Sequence, residues 1–344
     1  MGNMKFSVGL GRAVSYAEIA DEAQLAEESG FSHLTVVDQQ NLDRDVYVLM
    51  AAVATRTTKL LVGQGVTLPA SRHPAVTANA TASIDELSGG RAFLGIGAGG
   101  NALRSMGAKA PPLREFRATV EFVRRYVAGE EAEYGGYKMR SGWIKRAYPI
   151  YMAASGPKAL QLAGELADGV ITVGANPELV RWRLELIGRG AERVGRDPSK
   201  IDVWVRNCMV VGESREEARR QAAAYAPRTI WLDIGADNPD AVVLRQRLGK
   251  TVGDVDGLIS DSKRVFDAYD EYMHERSEAP HAQLVTQRMI DFMHLTGSSD
   301  EVRARISELQ SMGINHISNT MFTLRDRKEM MRRIGAEIIP AFGD

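Results

Sequence analysis

The stretch YPIYMAASGPKALQLAGELADGVITVG (148–174) holds one complete strand–helix–strand unit. YPIYMAA and DGVITVG carry the β-branched and aromatic runs of strands, and PKALQLAGELA between them is built of helix formers. Pro157 suits a first helical position, where its missing N–H costs nothing, and Gly156 lets backbone come close to a neighbour. A Ser-Gly-Pro-Lys turn at a helix start is either plain punctuation or a phosphate cradle. The second reading follows from the free N–H groups and positive dipole end of a first turn.

The alternation extends in both directions. MKFSVGL (4–10), HLTVVD (33–38), KLLVGQGV (59–66) and RAFLGIG (91–97) read as strands before the unit, and DVWVRNCMVV (202–211) and INHISNTMF (314–322) after it, giving eight in all. Helices separate them. One opens on a Ser15–Glu18 capping box and stops at Gly30; another starts near Val46; AVTANATASIDEL ends at Gly89-Gly90; one runs from Pro177 to about Val194. A second capping box, Ser298–Glu301, opens a helix that Gly313 stops, and a basic helix follows the last strand. Eight strands linked through helices predict an α/β fold, a (β/α)₈ TIM barrel forming a single domain over 1–344. An open doubly wound sheet is the competitor, but it would divide a chain this long in two, and no Pro/Ser-rich linker is present. Two stretches break the alternation. Residues 129–147 look like a small aromatic hairpin, and 227–295 like a mostly helical, polar insertion before the last strand. Both are expected over the C-terminal mouth, where barrels build their sites.

Composition excludes several classes. The chain has 344 residues, 44% hydrophobic and 25% charged, with a net charge of -1, so neither nucleic acid nor a membrane is expected as a partner. Cys208 is the sole cysteine, which rules out an internal disulfide and fits a reducing cytoplasm. No secretory segment is expected, since MGNMKF is short and quickly polar. The six histidines are scattered, and no metal site is expected.

The candidate chemistry lies at strand ends. Gly95, Gly97 and Gly100 fit a G-x-G-x-x-G template, but they follow the fourth strand and lead into a loop-like NALRSMGAKAPP, unlike a dinucleotide fingerprint. They read better as backbone approaching a flat ligand. Asp38 sits just past the second strand, either as a cap or solvated carboxylate, or as a group exchanging protons with substrate. Arg72 is read as the partner of an anionic group or of a surface carboxylate, and His73, before Pro74, as structural or catalytic.

Together GVTLPASRHP, ASIDELSGGRAFLGIGAGG and AASGPKALQLAGELADGV resemble the bacterial-luciferase-like superfamily of flavin-type oxidoreductases, and more closely its coenzyme F420-dependent branch. The likeness runs from GFSHLTVVD to TGSSDEVRARISELQSMGINHI. It implies a barrel that assembles as a homodimer or higher oligomer, with the deazaflavin at its C-terminal mouth and a small-molecule substrate. Position by position, it places a bulge, often with a non-prolyl cis peptide, at Gly65-Val66 behind the ring. Gly97, Ala98 and Gly99 line the ring, and Ser155, Gly156, Pro157 and Lys158 hold the phosphate. Gly174, Ala175 and Asn176 make a second backbone contact to the tail. Asp38 and Gln39 fall at the catalytic position, and Gln40 and Asn101 toward the substrate. The chain departs from the pattern in having Gln39 where many relatives have His, and Gly99, Gly100 and Asn101 where several have an acidic residue. F420 transfers hydride and does not activate oxygen as FMN does in the monooxygenases of the superfamily. FMN is therefore the alternative that changes the reaction class, and a non-catalytic flavin binder is the third reading.

Overall fold

The computed structural model describes all residues except 1–2, 12–14, 224–228, 236–238, 271, 274–275, 277, 322–323, 325 and 344; the burial of Asn101 is also outside the description. Eight parallel strands close into a barrel in strict chain order. They are β1 (Lys5–Leu10), β2 (His33–Val36), β3 (Leu61–Gln64), β4 (Ala92–Gly97), β5 (Ile150–Ala153), β6 (Gly169–Val173), β7 (Asp202–Asn207) and β8 (His316–Thr320). Each falls within a segment expected to be a strand; Phe322 of the last segment lies outside the described residues. Closure pairs Lys5 of β1 with His316 of β8.

The strands are buried on both faces, so they read as apolar runs rather than alternating ones. Val8, Leu34, Val62, Leu94, Met152, Val170, Val205 and Ile317 face outward onto the buried stripes of the surrounding helices, among them Ile19, Leu49, Val120, Leu160 and Leu186. Burial of each such side chain contributes about 1.5–3 kcal/mol relative to exposure. Both expected capping boxes form, at Ser15/Glu18 and Ser298/Glu301.

The inward residues alternate with these and stack in layers. Phe93, Tyr151, Ile171 and Trp204 fill the middle of the barrel with His33 and His316, whose ring centroids lie 4.6 Å apart. Gly63 and Gly169 make room for this plug: a Cβ at Gly63 would stand 2.3 Å from the Phe93 ring, and one at Gly169 2.3 Å from that of Tyr151. Below, Asp202 accepts from Lys5, the Tyr151 hydroxyl and the Trp204 indole, with His316 Nδ1 at 3.4 Å. The barrel is thus closed from beneath.

The expected hairpin forms from Ala132–Tyr134 and Tyr137–Met139. It packs on the outer wall and not over the mouth: Tyr134 meets His73 and Phe122, the Trp143 indole donates to Asn79, and Arg146 pairs with Asp85. The reason is topological, since this segment leads from a helix end to a strand start. The segment before β8 is mostly helical where described, with helices Thr229–Ile234, Pro239–Leu248, Val255–Asp267 and Gln287–Met293. Val210–Val211, the tail of the expected seventh strand, leaves the barrel to pair with Thr296–Gly297. Two of the contacts that tie the insertion down lie at the mouth. Arg183, on helix Pro177–Arg193, pairs with Asp233 inside the protein and donates to Val173 O at the end of β6. Ala175 N–H donates to Met293 O, so the end of the insertion meets the rim of the mouth.

Candidate active site

Above the aromatic plug the inward layer is nearly stripped of side chains. Gly9, Thr35, Gly65, Gly97, Ala153, Val173 and Thr320 end the strands, and Arg206 is the one large residue among them. The glycines are required by close approach. A Cβ at Gly65 would stand 2.5 Å from Thr35 Cβ, one at Gly97 2.9 Å from Val66 Cγ2, and one at Gly95 only 1.9 Å from Gln64 O. The Gly65-Val66 peptide is cis, as the sequence resemblance implied. Thr67 N–H donates to Gly95 O and Gly97 N–H to Thr67 O, which draws the segment after β3 against β4. A shallow, flat floor results.

One side of the floor is polar. Asp38 is 4% exposed and accepts from Thr67 Oγ1, Arg72 Nη1 and Gln40 Nε2, each at 2.6 Å. Arg72 also reaches Asp45 at 3.1 Å and lies over the Tyr47 ring. Its role is therefore to fix the Asp38 carboxylate. Because Gln40 donates its amide N–H to Asp38, its Oε1 is turned away as an acceptor. That oxygen and Gln39 Oε1 are both buried without a hydrogen-bond partner. Buried acceptors left open in this way lose about 1–3 kcal/mol each unless something donates to them. His73 is structural: its Nδ1 caps helix Pro74–Leu87 by accepting from Ala75 N–H.

The opposite side presents two helix starts, and they differ. Helix Pro177–Arg193 is closed by its own sequence, because Asn176 accepts from Glu178 N–H and Leu179 N–H. Gly174 N–H donates to Arg206 O and Ala175 N–H to Met293 O. The backbone donors expected at Gly174 and Ala175 are thus already spent inside the protein. Helix Pro157–Leu166 has Gly156 at its N-cap and no side-chain cap, and Gly156 and Lys158 are exposed. Its first turn is open to an anion. The helix is held rigidly, since it touches helix Pro177–Arg193 backbone to backbone. A Cβ at Gly164 would stand 2.1 Å from Ile187 O, and one at Gly190 1.9 Å from Gln161 O. Beside Lys158, a groove of about 240 Å³ runs along the outer wall, lined by Arg114, Arg117 and Arg193. Glu165 pairs with both Arg117 and Arg193.

Gly97, Ala98 and Gly99 lie where β4 meets the rim, and Gly99 adopts φ +105°. Gly100 then starts a short helix, Asn101–Ser105, where the sequence suggested only a loop. The orientation of Asn101 toward the site lies outside the described residues. Among the described residues, no group of three His, Cys, Asp or Glu side chains is placed to hold a metal ion, and no helix is long and apolar enough to cross a membrane.

The layout has counterparts in known proteins. The luciferase-like monooxygenase family matches residues 4–316. The chain belongs to that family. It is 33% identical over 330 residues to 5,10-methylenetetrahydromethanopterin reductase of Methanolobus tindarius, covering 94% of this chain and 95% of the relative. It is also 33% identical over 345 residues to the reductase of the same name from Archaeoglobus fulgidus, covering 98% and 99%. The coenzyme F420 dependent tetrahydromethanopterin reductase of Methanopyrus kandleri superposes with a TM-score of 0.80 at 25% identity, over 99% of this chain and 100% of that one.

Two groups of this luciferase-like barrel escape a reading of motifs. Arg206 projects inward from β7, and His33 and His316 meet inside the barrel although 283 positions separate them in sequence. A signal for Arg206 exists: in DVWVRN the alternate residues Asp202, Trp204 and Arg206 share one face, and period-two parity turns that face inward.

Proposed function

We propose that the chain is a coenzyme F420-dependent oxidoreductase that transfers a hydride between the coenzyme and a small organic substrate stacked on its exposed face. The observation that carries this is the pairing of a bare, flat floor with an uncapped, rigidly held helix start at its rim, Gly156 with Lys158 beside it. A planar ring needs the first and a phosphate-bearing tail the second. The open acceptors of Gln39 and Gln40 fit a ring or substrate that carries N–H or O–H groups. When bound, F420 supplies a two-electron hydride donor or acceptor at ring carbon 5.

The chain's own contribution is placement. Gly65, Val66, Gly97 and Ala98 support the ring, and Ser155, Gly156 and Lys158 hold the phosphate, with Pro157 setting the helix start. Asn176 acts on the tail only through its own backbone, because its side chain is spent as a cap. Asp38 handles the proton, with Arg72 and Thr67 fixing its carboxylate and Gln40 aiming an acceptor toward the substrate side. Stacking the substrate on the seated ring supplies proximity, which accounts for much of the barrier reduction. The same reading places a soluble homodimer or higher oligomer in the cytoplasm. The buried single cysteine supports that compartment, and light scattering of the pure protein tests the assembly.

Titration of the purified protein with F420 and, separately, FMN, read by absorbance, tests the proposal. Saturable binding of F420, followed by its reduction or oxidation in a screen of alcohols, sugar phosphates, enones and imines, is the expected result. Exclusive FMN binding would move the chain to the oxygenase chemistry, and binding of neither would make it a non-flavin barrel.

A further inference from the structure

We propose that the groove beside Lys158 seats an acidic chain, a short run of carboxylates, carried by the coenzyme beyond its phosphate. The proposal rests on the F420 reading above and extends it from the phosphate to what is attached there. The groove begins where two helices start. Barrel strands end at the mouth, so helix Leu113–Val127, which leads back to β5, and helix Pro157–Leu166, which follows β5, both have their first turns at that end. Neither start carries a side-chain cap: Pro112 and Gly156 stand at the two N-cap positions. Two positive dipole ends thus flank the upper end of the groove, and Arg114 and Lys158 belong to those same first turns.

The lining has the composition of a carboxylate site. Four of its residues are cations, Arg114, Arg117, Lys158 and Arg193, and one, Glu165, is an anion. Helix Pro157–Leu166 contributes Lys158, Gln161, Leu162 and Glu165, a spacing that sets them in a row on one helix face. That row spans about 10 Å, the reach of about three extended peptide units. Arg193, in the last turn of helix Pro177–Arg193, stands at its lower end. Glu165 is buried and shared, accepting from Arg117 Nη2 and, at 2.8 Å, from Arg193 Nη1. Gln161 Oε1 accepts from Arg193 Nη2 at 2.6 Å. Both guanidiniums are therefore fixed in place, while a single carboxylate of the lining answers the pair. Glu121, 3.2 Å from Arg117, and Glu115, 4.0 Å from Arg114, are exposed and stand outside the lining. Arg114 and Lys158 are exposed too, and among the described residues Lys158 pairs with no carboxylate. A volume of about 240 Å³ falls short of whole-ligand sites, which start near about 300 Å³, so the groove suits an appendage of the coenzyme. Guanidinium forks match carboxylates, and with Leu113 and Leu162 as the apolar part of the lining a hydrocarbon chain would gain little there.

Fluorescence titration of the purified protein with F420 bearing a chain of glutamates, and with F420 trimmed back to its phosphate, tests this at low and at high salt. Wild type should bind the tailed form about ten-fold more tightly at low salt, and the gap should narrow as salt rises, because the contacts lie at the surface. Arg114→Glu should cut that preference about five-fold and leave the Kd of the trimmed form within about two-fold. Arg332→Glu, an equal charge change on the helix after β8, should leave the preference unmoved. Equal binding of the two forms by wild type would overturn this inference alone, and would leave the groove to a separate polyanion. An equal weakening of both forms in Arg114→Glu would overturn it as well, since Arg114 would then act on the phosphate. So would a preference that Arg332→Glu lowers as much as Arg114→Glu does, because net charge and not the groove would set it. A wild type that binds FMN and neither form of F420 overturns the coenzyme reading and this inference with it.

Discussion

Replacing Asp233 alone should cost far more than replacing it together with Arg183. The pair joins the insertion to helix Pro177–Arg193 at 2.7 Å, and the two side chains are 2% and 1% exposed. Burial pushes the Asp233 carboxyl up to about 6 against the opposing pull of Arg183. Taking both ions out of water nearly cancels their attraction, but removing one partner strands the other, at about 3–5 kcal/mol. Asp233→Leu should therefore destabilise the chain by that amount, and Arg183→Met by a similar one. The double variant should return to within about 1–2 kcal/mol of wild type, because two packed apolar side chains leave no stranded charge. Urea unfolding reads these differences directly. In a thermal scan, an entropy of about 2.1 cal/mol/K per residue turns 3–5 kcal/mol into a shift of about 4–7 °C for a chain of 344 residues. The pH dependence has a definite sign. Between about pH 6 and 4 the folded chain holds a proton on Asp233 that the unfolded chain lacks, so this group adds stability as pH falls. A single variant that costs less than about 1 kcal/mol, or a double that costs the sum of the two singles, would refute the account of a buried, mutually dependent pair.

Other expectations follow from the site and the plug. Asp38→Asn removes the charge that Arg72 and Thr67 address, so turnover should fall by about 10²-fold or more while F420 affinity stays within a few-fold; steady-state kinetics with parallel binding titrations checks both, and unchanged turnover removes Asp38 from the proton step. Lys158→Ala should weaken F420 binding about two- to five-fold at low salt and less at high salt, because an exposed charge at a helix start is worth only about 0.3–1 kcal/mol; salt-independent loss would point to packing instead. Burial holds His33 well below its ordinary range and lowers His316 too, although Asp202 opposes both shifts. The unfolded chain then takes up protons as pH falls below about 6.5 and the folded chain does not, so stability is lost in that direction by up to about 1.4 kcal/mol per pH unit per group. His33→Phe should lose less stability than wild type between pH 7 and 5 in urea titrations; equal losses would show that His33 is not buried neutral.

The fold was legible because most barrel strands are short apolar runs with Gly, Asp or Asn at or just past their ends and a helix further on. The site was legible in part, through glycines whose necessity is now explained by Gln64 O, Thr35 and Val66 standing where a Cβ would go. Other features depend on which neighbour arrives. The side chain of Asn176, expected to meet the tail through backbone, is engaged as a helix cap, and Arg72, read as the partner of an anionic group or of a surface carboxylate, pairs with buried Asp38 and exposed Asp45. The hairpin at 129–147 was expected over the mouth and lies along the outer wall, because its position between a helix and the next strand, and not its composition, decides where it packs. Arg206 carries no motif at all, and only the parity of its strand turns it inward.

The aromatic plug of Phe93, Tyr151 and Trp204 imposes an order on events. A barrel sealed from below has a single doorway, so coenzyme and substrate must use it in turn. A ring lying flat on the floor has to be seated before its exposed face can be covered, and it cannot depart while that face is covered. Excess substrate should therefore slow the exchange of coenzyme, and the last to enter must be the first to leave.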